Sequence, residues 1–181
     1  WTNFNQNYSF KSWELDTLSK RIISWIANSN NFYHEGDENF KINFTKIIKK
    51  QLNHLTNEIE NTELVNDKMI GCSAIIMGGL CFKHQHNYLN IGLQLLKKII
   101  NTIFDNDGFP RSRNPRQVIF YLKYFVFIRE ILRDSNNDIP EYLNEIIFYL
   151  GQTFDFYFEK KRGSFLFNGN HNSDVSGFKE Y

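Results

Sequence analysis

The run Gly71-Cys-Ser-Ala-Ile-Ile-Met-Gly-Gly79 limits what this chain can fold into more than any other stretch. It is small and apolar nearly all round. A helix with no polar face has to be surrounded, and its small residues let neighbours come close. The pattern predicts an inner helix over about 64–82. An inner helix needs amphipathic helices around it, and the flanking sequence supplies them. Apolar residues at 15, 18, 22, 23, 25 and 26 recur at helical spacing in Trp13 to Ala27. Trp13 and Trp25 are read as core. Asp37 or Asn39 can cap a second helix reaching about Glu60, with Phe40, Phe44, Ile47, Ile48, Leu52, Leu55 and Ile59 on one face. Its other face carries Lys46, Lys49 and Lys50, a pattern usual for a solvated face.

Beyond the inner helix, Tyr88 to Phe104 reads as a fourth helix. A fifth, about 115–134, is dense in aromatics: Phe120, Tyr121, Tyr124, Phe125 and Phe127. Pro140 starts a sixth, running to about Glu159. Residues 1–12 read as an extended lead-in without a period. After Lys160-Lys-Arg-Gly163, Ser164 to Phe167 reads as a short extended segment before a polar, turn-prone run. The expected fold is all-α, built of stacked antiparallel helical hairpins with a short extended segment near the C-terminus. No strict short repeat appears. The expected division is a helical domain over 1–162 and an extended, polar tail over 163–181.

Composition narrows the function classes. With 181 residues, 41% of them hydrophobic, the chain can bury a sizeable core. A net charge of +1 argues against a general nucleic-acid binder, which needs a basic field. Cys72 and Cys81 form no disulfide framework and no metal motif; on one helix their separation excludes a bond between them. His84 and His86 in the polar turn Lys83–Asn87 are weak metal candidates. No membrane-length apolar run is visible.

Between the fourth and fifth helices lies Asp107-Gly-Phe-Pro-Arg-Ser-Arg-Asn-Pro115. Asp-Gly and the prolines interrupt helices. Asn114 suits a helix cap and Pro115 the first turn after it. That accounts for neither Arg111 nor Arg113. Guanidiniums at a helix N-terminus meet the wrong end of its dipole. They are better placed on an acidic residue of the chain or on an anionic ligand, or simply in solvent.

The order and spacing of four segments resemble the helical domain of the heparinase II/III-like polysaccharide lyases. They are Arg21-Ile-Ile-Ser-Trp-Ile26, Gly78-Gly-Leu-Cys-Phe82, the loop 107–115, and Ser164-Phe-Leu-Phe-Asn-Gly169. The resemblance implies an incomplete (α/α) toroid followed by a β-sandwich, and a periplasmic or envelope location. Members of the family are longer than this chain, so the expectation is an N-terminal portion of a larger protein. Its implied partners are an anionic polysaccharide and the C-terminal β-sandwich of the same protein, with no nucleic acid and no membrane span. No cofactor is implied for this chain; a structural metal would belong to the absent domain.

The family's reaction is β-elimination at a uronic acid. It requires neutralisation of the carboxylate beside C5, a base for the C5 proton and an acid for the leaving oxygen. By resemblance, Asn66 would help neutralise, and Arg111 and Arg113 would hold carboxylates or sulfates. Gln117, Asn168 and Asn170 would add substrate contacts. The chain has Asn66-Asp67 where the family commonly has Asn-His, and Arg116-Gln117-Val118 where it often has Tyr-His. The candidates left for proton transfer are Tyr121, one turn beyond Gln117, and His171. Three functions stay open: a polysaccharide lyase, a non-catalytic glycan binder, and a helical scaffold for a protein partner.

Overall fold

The computed structural model describes residues 8–82, 87–105, 107–159 and 164–165. Among these, seven α-helices form: α1 (Phe10–Trp13), α2 (Leu15–Ala27), α3 (Glu38–Glu58), α4 (Val65–Cys81), α5 (Tyr88–Ile103), α6 (Pro115–Asp134) and α7 (Glu141–Tyr157). The all-α reading holds. Its helix ends lie within a residue or two of the observed ones, because caps and breakers set them. The Asp37 carboxylate accepts from Phe40 N at 2.7 Å and starts α3. Asn114 Oδ1 accepts from Arg116 N at 3.0 Å, with Pro115 at the first position of α6. At the other end of α6, Asn136 adopts φ 52°, a left-handed conformation that asparagine tolerates. In the lead-in, Phe10–Trp13 forms a one-turn helix rather than extended chain, and residues 1–7 lie outside the described set. A backbone pairing of Phe158 with Phe165 and Glu159 with Ser164 follows α7.

The chain divides into two compact units, 1–96 and 97–181, with α5 running across the division. The boundary expected at 162 and 163 falls on residues outside the described set.

The first unit is built around α4, as its sequence required. Residues Met69 to Ile76 are buried without interruption. α2 packs on α4 more extensively than on any other element, and α3 packs on both. The glycines of α4 are what let its neighbours in. A Cβ at Gly71 would lie 2.3 Å from the Ile59 side chain, and one at Gly78 2.5 Å from Leu52. At Gly79 it would lie 2.4 Å from the backbone nitrogen of Leu89, so α4 meets α5 backbone to backbone there. The Cys72 thiol donates to the Gly92 carbonyl at 3.2 Å across the same contact. Both cysteines are free. Trp13 is buried, as expected of a core residue.

In the second unit, α6 packs against α7. Its core centres on Phe104, Tyr121 and Phe125, whose rings meet at centroid distances of 5.1 to 5.9 Å. Among the described residues, no helix is long and apolar enough to cross a membrane.

Candidate functional site

The loop between α5 and α6 is ordered by one carboxylate. Asp105 Oδ1 accepts from Phe109 N at 2.9 Å and from Asp107 N at 3.2 Å, while Oδ2 pairs with Arg113 at 3.0 Å. The backbone closes under it. Asp105 N donates to Phe109 O at 3.0 Å, and Arg111 N donates to Ile103 O at 2.8 Å, around a bridge between Phe104 and Pro110. Gly108 takes φ 72°, and a Cβ there would stand 2.4 Å from Cβ of Tyr149, so the turn lies tight against α7. Only glycine meets both demands without strain.

Both arginines take part in this construction. Arg111 donates Nε to the Phe104 carbonyl at 3.0 Å, and its terminal nitrogens have no partner among the described residues. Arg113 sits over the Phe109 ring at 5.4 Å and is 68% exposed. It is held at φ 57°, which is costly for an L-residue with a long side chain. Beyond it, Ser112 Oγ meets Gln117 Oε1 at 2.5 Å. The loop thus brings together Arg111, Ser112, Arg113 and Gln117 at the N-terminus of α6, with exposed Arg116 beside them. The internal ion pair, left open by the sequence, is realised at Arg113. The residue behind it, Asp105, carried no signal in the sequence beyond its position at a helix end.

The other expected site residues are elsewhere. Tyr121 is 0% exposed, and its hydroxyl has no hydrogen-bond partner among the described residues. Burial pushes its phenol pKa up, away from the range useful to a base. The periodicity of α6 turns Tyr121 inward, beside Val118 and Phe125. Asn66 is an exposed residue in the first turn of α4, in the first unit, whereas the arginines belong to the second. Next to it, the Asp67 carboxyl is pushed up by burial, then by Asp16 and Glu14, against the opposite pull of Lys20. Asn168, Asn170, His171, His84 and His86 lie outside the described residues. Arg21 and Trp25, in the first of the four resembling segments, are tied to structure. Arg21 Nε donates to buried Gln51 at 2.9 Å, and its guanidinium lies 5.9 Å from the Trp25 ring. Burial lowers the Arg21 pKa to about 10.

The first unit also carries an open groove of about 720 Å³ along α3, lined by Tyr33 and Ile42, by Lys41, Lys46, Lys49 and Lys50, and by Glu38, Thr45 and Asn53. The lysines read in sequence as a solvated face therefore border a concave surface. At the arginine loop the Asp105 oxygens are already engaged, and the loop's other carboxylate, Asp107, is exposed. What the loop can do chemically is hold an anion. No family model, no curated protein and no solved structure matches the chain.

Proposed function

We propose that this chain is a helical anion-binding module of a protein acting on an anionic, uronate-containing polysaccharide, and that its own share of the task is binding rather than proton transfer. The observation that supports it is the arginine loop. Arg111 and Arg113 are exposed, on a turn held by backbone hydrogen bonds and by Asp105, at the positive end of a 20-residue helix. A carboxylate or sulfate would find guanidinium donors and the α6 dipole together, and would relieve the repulsion between that dipole and the arginines. The exposed Arg113–Asp105 pair is worth little by itself, ~0–1 kcal/mol, so a ligand can compete for it.

Burial of Tyr121 weighs against elimination by this chain. In the wider reading, the helices form part of an incomplete (α/α) toroid, and a β-sandwich of the same protein completes the cleft. The elimination chemistry would then belong to that larger assembly.

Titration calorimetry with oligogalacturonate and with heparin oligosaccharides tests the proposal. Binding should weaken with salt, and Arg111→Ala with Arg113→Ala should weaken it by roughly 10-fold or more, the scale of a lost charge-assisted contact. Unchanged binding by a folded double variant would remove the loop from the site. An unsaturated uronate absorbing in the near ultraviolet, formed by the chain alone, would overturn the binding-only role.

A further inference from the structure

The turn that carries the arginines also carries an aromatic ring. Phe109 is fixed by its backbone: its N–H donates to Asp105 Oδ1 at 2.9 Å, and its carbonyl accepts from Asp105 N at 3.0 Å. The Arg113 guanidinium lies 5.4 Å from the Phe109 ring centre. From α7, the Tyr157 ring lies 6.2 Å from the same ring. An open pocket of about 350 Å³ lies where loop and helix meet. It is lined by Phe109 and, on α7, by Gln152, Thr153, Phe156 and Tyr157. All of these residues belong to the second unit.

The α7 side of this pocket is unlike an ordinary solvated helix face. Phe148, Gln152 and Phe156 follow at four-residue steps, so they form one row along about 12 Å of helix. Phe148 is 60% exposed and Phe156 82%. Gln152 between them is exposed too. The Thr153 hydroxyl donates to the Tyr149 carbonyl at 3.0 Å, which leaves its oxygen able to accept. The lining residues therefore offer ring faces together with an amide and a hydroxyl oxygen, and include no Leu, Ile, Val or Met. The volume falls within the lower part of the range of small-ligand clefts, about 300–1,000 Å³.

We propose that this pocket is a sugar-ring subsite, in which the C–H face of a pyranose stacks on Phe156 while the acidic group of the adjoining sugar is held at the arginine loop. The inference rests on the anion-binding reading of that loop and extends it: the ligand is at least two sugars long. A pyranose has a face of C–H groups and a rim of hydroxyls. The C–H groups meet the negative face of an aromatic ring. The hydroxyls find the Gln152 amide and the Thr153 oxygen. Continuity with the arginines favours this occupant, because Phe109 belongs to both places: its ring lies against Arg113 and lines the pocket. An apolar helix of a protein partner fits less well. It would cover the Gln152 amide in the middle of the row and give it no hydrogen-bond partner.

Calorimetry with the full chain and ligands of increasing length tests it. The probes are galacturonic acid with its dimer and tetramer, and heparin di- and tetrasaccharides. Affinity should rise with length in the native chain. Phe156→Ala should remove about 5-fold of that rise and leave the salt dependence as it was, because a ring face carries no charge. Phe156→Trp, which keeps a ring face, should restore it. Arg111→Ala with Arg113→Ala should instead flatten the salt dependence. In proton NMR, sugar C–H signals should move upfield on binding to the native chain and not to Phe156→Ala. Circular dichroism checks that each variant is folded, and the exposure of Phe156 makes its replacement mild. An unchanged length increment in Phe156→Ala, with the arginine variants still weakened, would overturn the subsite and leave the arginine reading standing. No binding of either series by the native chain would overturn both. Self-association of the chain in sedimentation velocity, abolished by Phe156→Ala, would overturn the choice of ligand.

Discussion

A tyrosine hydroxyl enclosed by rings is the most informative single group in the second unit. Tyr121 stands edge-on to Phe104 at 5.1 Å and to Phe120 at 5.1 Å, and stacks on Phe125 at 5.9 Å. Its ring belongs to the core, and its oxygen gains nothing there. An unsatisfied buried hydroxyl costs ~1–3 kcal/mol, whereas removing it while keeping the ring can be neutral or stabilising. Tyr121→Phe is therefore expected to raise stability by about 1 kcal/mol in urea unfolding and to leave glycan binding unchanged. A loss of binding with stability retained would return Tyr121 to the site. The arginines differ in kind. Arg113 accepts an unfavourable φ and an exposed position, and its burial contributes little to the fold.

At the scale of elements, α4 decides how closely the first unit can pack. Its glycines do not all matter equally. At Gly71 and Gly78 an added methyl would meet side chains that can shift. At Gly79 it would meet the backbone nitrogen and Cα of Leu89, at 2.4 and 2.7 Å, which cannot move without displacing α5. Gly79→Ala is expected to destabilise by roughly 2–3 kcal/mol despite the higher helix propensity of alanine, an overpacking cost. Thermal unfolding followed by circular dichroism reads this directly. Gly71→Ala measured alongside should cost less; equal costs would mean that backbone contact is not the controlling feature.

On the scale of the whole molecule, the two units have separate cores and separate reporters. Trp13 and Trp25, the tryptophans among the described residues, lie in the first unit. Tryptophan fluorescence thus follows that unit, while far-ultraviolet circular dichroism follows both. Leu150 is fully buried in α7 of the second unit. Leu150→Ala should cost ~2–5 kcal/mol of that unit's stability. Its dichroism transition in urea should move to lower concentration, with the fluorescence transition shifted less. Coincident shifts would mean that the chain unfolds as one cooperative block.

The order and most ends of six of the seven helices were legible in the sequence, because periodicity, caps and breakers act over a few residues; the one-turn α1 was not, being too short to show a period. Asp37, Asn114 and Pro115 do their work within one turn. The inner position of α4 was legible too, since a segment without a polar face has only one stable place to lie. Tertiary structure decided what each polar side chain faces. The pairing of Arg113 with Asp105 joins residues eight apart through a bridge and a left-handed residue that no periodicity announces. Tyr121 was one turn from Gln117 in sequence, yet the rotation of α6 on α7 placed it in the core. The same holds for the lysines of α3. Their spacing showed a common face, but only the folded chain placed Tyr33 beside it and left Ile42 exposed there. Local chemistry writes helices into a sequence, whereas a site depends on which faces remain open once those helices have packed.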